Sequence, residues 1–412
     1  MLVIRNIGEL VIYPAGRIRG RAMSAGDTLP SAALCVDGER IVWFGPQEQL
    51  KAPVDAEVLD AGGGCVVPGL VDCHTHTVFA GTREEEFVQR IEGRSYAEIA
   101  ERGRGIRNTV EAVRRATCEE LVALALPRLE RMLRNGVTTL EIKSGYGLTV
   151  EDELKMLEAV RRLKALQPIE LVGTYLAAHT TPRDFADRPD AYLDLVLADD
   201  VLAGIRDRGL AEFCDVFCER TAFHVEQARR VLEAGRRFGL APKVHADQIT
   251  QIGATRLAGE VRAVSADHLE KIDDEGTAAL NEAGTVAVLL PGCSFFLGVP
   301  QAPARRLIEA GLPLAVATDF NPGSSMIESL PLVLHIACTQ CRLTPTEALV
   351  AATANAAAAL HRETRVGAVQ VDMQADLVVL DVPNHRRWMY ESGRNCVRAV
   401  VKKGRVVVSP PA

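Results

Sequence analysis

The middle of the chain alternates between two patterns of apolar residues. Continuous apolar runs, such as 137–142 and 285–290, are typical of parallel strands that are covered on both faces. Segments with apolar positions at helical spacing, such as 151–166 and 225–238, lie between these runs. Counting from Val66, the pattern predicts eight strands, each followed by a helix. Strict alternation over about 250 residues favours an α/β fold with a (β/α)8 TIM-like barrel, and a doubly wound open sheet is the alternative.

The same patterns give the bounds of the other predicted elements. Thr149 and Asp152 are placed to cap the helix 151–166. Further strands are predicted over 66–77, 169–178, 211–217, 242–245, 262–268 and 312–319, and further helices over 107–135, 190–207, 274–283 and 304–310.

Both ends of the chain are rich in short β-type runs. The segment 34–44 predicts a hairpin that turns at Asp37-Gly38, and 375–380 and 397–408 predict strands, the latter turned at Gly404. Two β-rich ends around a different middle predict one small β-sandwich domain built from both termini. The predicted domains are therefore the sandwich parts, 1–65 and 361–412, and the barrel, 66–360.

Composition narrows the class of protein. The chain has 412 residues, of which 48% are hydrophobic and 25% charged, as in ordinary globular proteins. The net charge of −7 argues against a nucleic-acid or anionic-membrane partner. The N-terminus lacks the apolar core of a signal peptide, and the ten cysteines mostly lie in apolar runs, as buried free thiols do. We therefore expect a cytoplasmic protein.

Chemically versatile side chains fall at the ends of the predicted strands. His74 and His76 are two positions apart, so their imidazoles project from one side of the first strand. The carboxyl ends of barrel strands meet at one face, which should bring distant residues together. The other strand-end residues are Tyr146, His179, His245, His268 and Asp319, the last followed by Asn321, Gly323 and Ser324.

His74, His76, His245 and Asp319 make a set of three nitrogen ligands and one oxygen ligand. With one open position, this set suits Zn²⁺ or Fe²⁺, which lowers the pKa of a bound water and polarises a carbonyl. Asp319 could also accept the proton of the attacking water. The alternative is a group of structural histidines in the barrel core.

Other strand-end residues have a chemical and a structural interpretation. His179 or His268 could donate to a developing oxyanion or carry a proton, or could be structural histidines. Arg83 could bind a carboxylate with two hydrogen bonds, or could be a solvated charge. Tyr146 and the turn 321–324 could contact a ligand, or could only shape turns.

These residues together resemble the amidohydrolase superfamily, which has His-x-His after strand 1, histidines after strands 5 and 6, aspartate after strand 8 and a β-sandwich from both ends. Within it, the chain is similar to the imidazolonepropionase family. The narrower motifs are KSGYG (143–147), HADQ (245–248) and TDFNPGSS (318–325). The similarity covers essentially the whole chain.

The resemblance implies hydrolysis of the cyclic amide of 4-imidazolone-5-propanoate to N-formimidoyl-L-glutamate, a step of histidine degradation, in a homodimer. It implies one zinc or iron ion per chain, with the following residue roles. By this resemblance, the metal is bound by His74, His76, His245 and Asp319, and the propionate is bound by Arg83 and Tyr96. The ring or the product is contacted by Tyr146 and His179, and the new carboxylate is contacted by Asn321, Gly323 and Ser324. Gln248 orients the water or the substrate, and His268 assists the tetrahedral intermediate.

Two other functions fit parts of this pattern. The first is a different amidohydrolase, either a nucleobase deaminase or a two-metal hydrolase of cyclic amides. Two-metal members use a carboxylated lysine as a bridge, and Lys143 is the only lysine at a strand end. The second is a non-catalytic assembly protein on the same fold, against which the full set of metal ligands argues.

Overall fold

The computed structural model of the chain describes residues 1–51, 53–94 and 105–409. Within these ranges the strands form two sheets of eight strands each. One sheet, here called the terminal sheet, collects strands from both chain ends. The other is a parallel barrel from the middle of the chain, which confirms the predicted fold class.

The terminal sheet joins five strands near the N-terminus to three near the C-terminus. The predicted hairpin is confirmed, with Leu34 opposite Phe44, and so is the turn at Gly404. The strands are β1 (Leu2–Ile12), β2 (Asp27–Asp37), β3 (Arg40–Pro46), β4 (Glu57–Asp60), β5 (Cys65–Pro68), β14 (Leu377–Leu380), β15 (Val397–Lys402) and β16 (Arg405–Val408). Their order is β16-β15-β14-β5-β1-β2-β3, and β4 pairs with β1.

The barrel is closed between its first and last strands. Each strand is parallel to the next along the chain, and Thr75 forms a parallel bridge with Phe320. The N–H of Asp319 donates to the carbonyl of His74 at 3.0 Å, which places the predicted metal ligands at the closure. The strands are β6 (Leu70–Asp72), β7 (Val137–Lys143), β8 (Glu170–Ala178), β9 (Phe213–Cys218), β10 (Ala241–Ala246), β11 (Ser265–His268), β12 (Val286–Leu289) and β13 (Leu314–Val316).

Helices lie between the barrel strands, after the last of them, and between β14 and β15 of the terminal sheet. No helix in the described ranges is both long and apolar enough to cross a membrane. The helices are α1 (Glu84–Ile91), α2 (Ile106–Arg115), α3 (Cys118–Arg134), α4 (Val150–Leu163), α5 (Pro189–Val196), α6 (Asp199–Asp207), α7 (Val225–Arg237), α8 (Ala254–Glu260), α9 (Asp274–Ala283), α10 (Pro291–Leu297), α11 (Ala304–Glu309), α12 (Leu330–Gln340), α13 (Pro345–Ala351), α14 (Ala354–Ala358) and α15 (His385–Tyr390).

The predicted strand 66–77 is wrong as a single element, because it divides into β5 and β6. β5 pairs with β1 and β14 of the terminal sheet, whereas β6 begins the barrel. Gly69 joins them where a Cβ would lie 2.3 Å from Thr138 Oγ1, so only glycine fits. The domain boundaries at residues 65 and 360 stay a proposal.

Two predicted helices are also divided. The segment 107–135 breaks between α2 and α3, because Thr117 caps α3 by accepting from the N–H of Glu120 while Glu120 Oε2 accepts from the N–H of Thr117. The segment 190–207 divides into α5 and α6. Apolar spacing alone did not locate either break.

We expect Thr117→Ala to lower the free energy of unfolding by about 1 kcal/mol, because it leaves the N–H of Glu120 in the first turn of α3 without its side-chain acceptor. Urea denaturation followed by circular dichroism measures the change. The control is Glu111→Ala, which removes an exposed ion pair 3.9 Å long with Arg115 and should cost at most about 0.5 kcal/mol. Equal losses in both variants would contradict the capping role.

Candidate active site

The four predicted metal ligands lie together at the carboxyl end of the barrel. The ring centroid of His74 is 5.5 Å from that of His76 and 4.5 Å from that of His245. Asp319 Oδ1 lies 3.4 Å from Nε2 of His74 and 3.7 Å from Nε2 of His76. The barrel therefore brings together ligands that are up to 245 positions apart in the sequence, from 74 to 319.

The protonation of these histidines suits metal binding. His74 Nδ1 donates to Asp267 Oδ2 at 2.6 Å, which leaves a lone pair on Nε2. That buried Nε2, like Nδ1 of His76 and Nε2 of His245, has no hydrogen-bond partner within the described part of the chain. Burial, followed by nearby positive charge, holds the pKa values of His74 and His76 well below their usual range. Neutral, unpartnered imidazoles fit a metal ion.

Potential ligand atoms within 4.8 Å of one another form overlapping groups here. One group is His74, His76 and Asp319, and another is His74, His245 and His268. The set of five histidines, here called the histidine cluster, consists of His74, His76, His179, His245 and His268. A divalent ion can be held by several of these combinations.

His179, predicted to contact substrate, lies against the predicted ligands. Its ring is stacked on His76 at 5.2 Å, and its Nδ1 is 3.0 Å from the carbonyl oxygen of Gly145. Burial, and then the charge of His245, lower the pKa of His179 to about 3, so the ring is neutral at physiological pH. Tyr146 lies 5.6 Å from His76 and 5.4 Å from His179, between ring centroids.

His268 differs from its neighbours in charge. Burial lowers its pKa, but contact with Glu270 and the charges of Asp319 and Asp267 outweigh burial and raise the pKa overall. Its ring centroid is 5.3 Å from that of His245. A histidine that holds its proton more strongly than usual can donate to a developing oxyanion.

The backbone at two of these residues is strained. Asp319 has φ +50° and His268 has φ +84°, in a backbone region that residues other than glycine seldom adopt. Such strain persists only where the surroundings enforce it, and it concentrates at functional sites.

Five charged side chains fill the barrel beneath the histidine cluster and form what is here called the buried charge network. Lys143 Nζ lies 2.8 Å from Asp215, 3.1 Å from Glu141 and 3.5 Å from Asp267. Lys243 Nζ lies 2.7 Å from Glu141. All five side chains are fully buried.

The buried charge network supports the histidine cluster and argues against the two-metal alternative. Asp215 Oδ2 lies 3.0 Å from Nδ1 of His245, as Asp267 does from His74 at 2.6 Å. Burial alone would lower the pKa of Lys143, but Asp215, Glu141 and Asp267 raise it. Carboxylation requires a neutral amine, and Lys143 is instead an ammonium held by three carboxylates.

Arg83 is buried beside the loop that follows Asp319. Its Nε donates to Glu86 Oε2 at 2.8 Å, and its Nη2 lies 2.7 Å from the same oxygen in an ion pair. A Cβ on Gly323 would lie 2.2 Å from Nη1, so the guanidinium lies directly against that backbone. The solvated-charge interpretation of Arg83 is therefore wrong, because only 8% of the residue is exposed.

Asn321 and Ser324 shape this same loop. Asn321 Oδ1 accepts from the N–H groups of Gly323 and Ser324, and its Nδ2 donates to the carbonyl of Asp319. Ser324 Oγ is 3.5 Å from Asp319 Oδ2. The polar atoms of Asn321 are thus used within the turn, as the structural interpretation expects, while its predicted contact with substrate stays a prediction.

The sequence analysis missed Cys293, a buried thiol in α10. It belongs to a potential ligand group with His268 and Asp319, and Gln248 Nε2 lies 3.8 Å from its Sγ. This contact is how Gln248 reaches the site. The signal available in the sequence was a cysteine four residues after a barrel strand. Tyr96, the second predicted propionate contact, lies outside the described residues.

Comparisons with known proteins agree with this fold. The Amidohydrolase family model matches residues 65–407. The chain is 47% identical to the imidazolonepropionase of Geobacillus kaustophilus, covering 99% of this chain and 98% of that protein. It is 46% identical to the imidazolonepropionase of Myxococcus xanthus, covering 99% and 97%. The crystal structure of atrazine chlorohydrolase TrzN from Arthrobacter aurescens complexed with zinc matches with a TM-score of 0.74 at 17% identity, covering 100% and 96%.

The chain belongs to the amidohydrolase family and, within it, to the imidazolonepropionases. The histidine cluster agrees with the metal dependence of that family. At 17% identity the zinc-containing structure supports the fold alone.

We expect Lys143→Met to weaken metal binding by about 10- to 100-fold, because Lys143 holds both carboxylates that orient His74 and His245. Competition against a chromophoric chelator measures the affinity. The matched control is Lys243→Met, an equally buried lysine that contacts Glu141 and a backbone carbonyl but neither of those two carboxylates. A similar loss in both variants would reduce the role of Lys143 to general stability.

Proposed function

We propose that the chain hydrolyses the cyclic amide of 4-imidazolone-5-propanoate to N-formimidoyl-L-glutamate, with one zinc or iron ion bound by His74, His76, His245 and Asp319. The observation that carries the proposal is the buried Arg83 guanidinium beside the loop that begins at Asp319. A buried cation next to a metal-binding set fits a small substrate that carries a carboxylate. The near-full-length likeness to imidazolonepropionases supports the same substrate.

The residues of the site supply what amide hydrolysis requires. The oxygen of water bonds to the carbonyl carbon, the ring C–N bond breaks, and the proton from water ends on the departing nitrogen. A divalent ion in the site supplies Lewis-acid activation of water and carbonyl. Asp319 is placed to accept the proton of water and to pass it on.

His268 and His179 have different roles in the proposed reaction because their charges differ. His268 keeps its proton more strongly than usual and is placed to donate to the oxyanion of the tetrahedral intermediate. His179, neutral and paired with the Gly145 carbonyl through Nδ1, presents its other nitrogen as an acceptor for a ring N–H. Gln248 is half-buried beside Cys293 and is placed to orient substrate.

Recognition of the propionate is assigned to Arg83. Glu86 Oε2 lies 2.8 Å from Nε and 2.7 Å from Nη2 of Arg83. Glu86 Oε1 accepts from the N–H of Gly105 and from the side-chain amide of Asn108, which fixes the orientation of the Arg83–Glu86 pair. The Nη1 side faces Gly323, which lacks a side chain there. Tyr96 is kept in this proposal as a second contact.

The proposal also includes a cytoplasmic location and a homodimeric assembly. All ten cysteines are free, as expected of a cytoplasmic enzyme. A homodimer is expected from the resemblance, and light scattering on a sizing column tests it.

We expect Asp319→Asn to lower kcat by about 10²- to 10⁴-fold and to reduce the bound metal, because the amide is a poor base and a poorer ligand. Loss of substrate absorbance in the ultraviolet measures the rate, and mass spectrometry of the metal measures the content. The control is Asp376→Asn, a buried aspartate paired with Lys402 in the terminal sheet, which should keep metal and activity. Wild-type protein that holds one ion per chain but leaves this substrate intact would refute the substrate assignment.

We expect Arg83→Met to lower kcat/KM for the natural substrate by about 10- to 100-fold, since a charged hydrogen bond contributes about 1.5–3 kcal/mol. An analogue with a neutral amide in place of the propionate should be hydrolysed about equally by both proteins. The control is Arg128→Met, another buried arginine, whose Nη1 donates to the carbonyls of Thr77 and Phe79. Arg128→Met should keep the preference for the charged substrate over the neutral analogue. Loss of that preference in Arg128→Met would contradict the assignment of propionate binding to Arg83.

A further inference from the structure

Cys293 lies in the candidate active site without a role in the proposed hydrolysis. It is fully buried at the third position of α10, directly after β12. A thiol, an imidazole and a carboxylate, from Cys293, His268 and Asp319, offer ligand atoms within 4.8 Å of one another. Cys293 appears in no such group with His74 or His76.

Asp319 presents one oxygen to each side of the site. Its Oδ1 is the atom near Nε2 of His74 and of His76, at 3.4 and 3.7 Å. Its Oδ2 is the atom near Ser324 Oγ, at 3.5 Å, and Ser324 also contacts the Cys293 thiol. A carboxylate in this position can bridge two ions, one on the histidine side and one on the cysteine side.

His268 completes the second side. Its side chain is 3% exposed, and its Nδ1, 3.8 Å from Glu270 Oε2, has no hydrogen-bond partner in the portion of the chain that the structure describes. Thiolate and imidazole together select zinc-like ions over magnesium or calcium.

We propose that His268, Cys293 and Asp319 form a second cation site, which takes a thiophilic divalent ion, Zn²⁺, when that ion is in excess. Binding forms one S–Zn bond to Cys293 and one N–Zn bond to His268, and it releases the thiol proton and the proton of the His268 imidazolium to solvent. The ion engages His268, the residue assigned to the oxyanion, so that occupation inhibits hydrolysis. The inhibition rests on the proposed function, whereas binding at the site does not.

The test adds Co²⁺ to protein that already holds one equivalent of Zn²⁺. Wild type should retain a second equivalent after gel filtration and should show a near-ultraviolet thiolate-to-cobalt charge-transfer band. Cys293→Ser should take up no second ion and show no band, because its hydroxyl is a poor ligand. The matched control Cys218→Ser removes another buried thiol, at the end of β9, and should behave as wild type.

Activity gives a second readout. Excess Zn²⁺ should slow wild type by about 100-fold, the size of effect expected when a positioned acid is lost. The hydrolysis rate of Cys293→Ser should be the same with excess Zn²⁺ as with one equivalent of Zn²⁺. If serine also disturbs the first ion, Cys293→Ala is compared in the same way, and the band in wild type and Cys218→Ser still identifies the thiol.

Three results would overturn the proposal. These are a second ion without the charge-transfer band, the same band in Cys293→Ser, and no second ion at any cobalt concentration. If any of these results is obtained while the protein with one bound ion still hydrolyses the substrate, the proposed hydrolysis stands and only the second cation site is refuted. Failure of the second site is therefore distinguishable from failure of the proposed function.

Discussion

The site depends on the buried charge network that fills the barrel beneath it. Burying isolated charges costs several kcal/mol each, and removing one partner of a buried pair typically costs about 3–5 kcal/mol. Here Lys143 and Lys243 are surrounded by Glu141, Asp215 and Asp267, so each charge has an opposite neighbour within 3.5 Å. Counted as ionised, three carboxylates and two ammonium groups leave one negative charge directly below the histidines. Asp319 adds a second, which matches the charge of a divalent cation.

The parallel register explains how this network reaches the histidines. Alternate residues of a strand face the same side, so Lys243 and His245 both point inward from β10. Lys243 is the register partner of Asp215, and His245 is the register partner of Asp267. The layer that holds Lys243 and Asp215 therefore lies directly beneath the layer that holds His245 and Asp267. His245 is thus oriented by its strand, whereas His74, His76 and Asp319 directly follow the ends of β6 and β13.

The sequence was sufficient for the fold and for the placement of the predicted ligands, because strand ends are read from the alternation of apolar runs. It was insufficient for the buried charge network. Glu141, Asp215 and Lys243 lie inside runs that were counted as apolar strands. A polar residue at every second position, as in Thr139-Leu140-Glu141-Ile142-Lys143, was the available signal.

Contacts between distant elements explain the remaining differences. The break at Gly69 is required by Thr138 on the neighbouring strand, and the break before α3 is set by a cap rather than by apolar spacing. Cys293 is close to Asp319 only because β12 and β13 are neighbours in the closed barrel. None of these distances is encoded locally, so pattern analysis could not have supplied them.

The general chemistry and the substrate preference are carried by different parts of the molecule. The histidines and Asp319 sit on or directly after barrel strands, and the overall fold is shared with a chlorohydrolase at 17% identity. Arg83 instead precedes α1, and its direction is fixed by Glu86, which also accepts from Gly105 at the start of α2. The guanidinium meets the loop after β13 at Gly323, in a turn that Asn321 holds by its own hydrogen bonds. A change of substrate can therefore arise at Arg83 and in the turn at Gly323, which lie further along the chain than the ligands that directly follow β6 and β13.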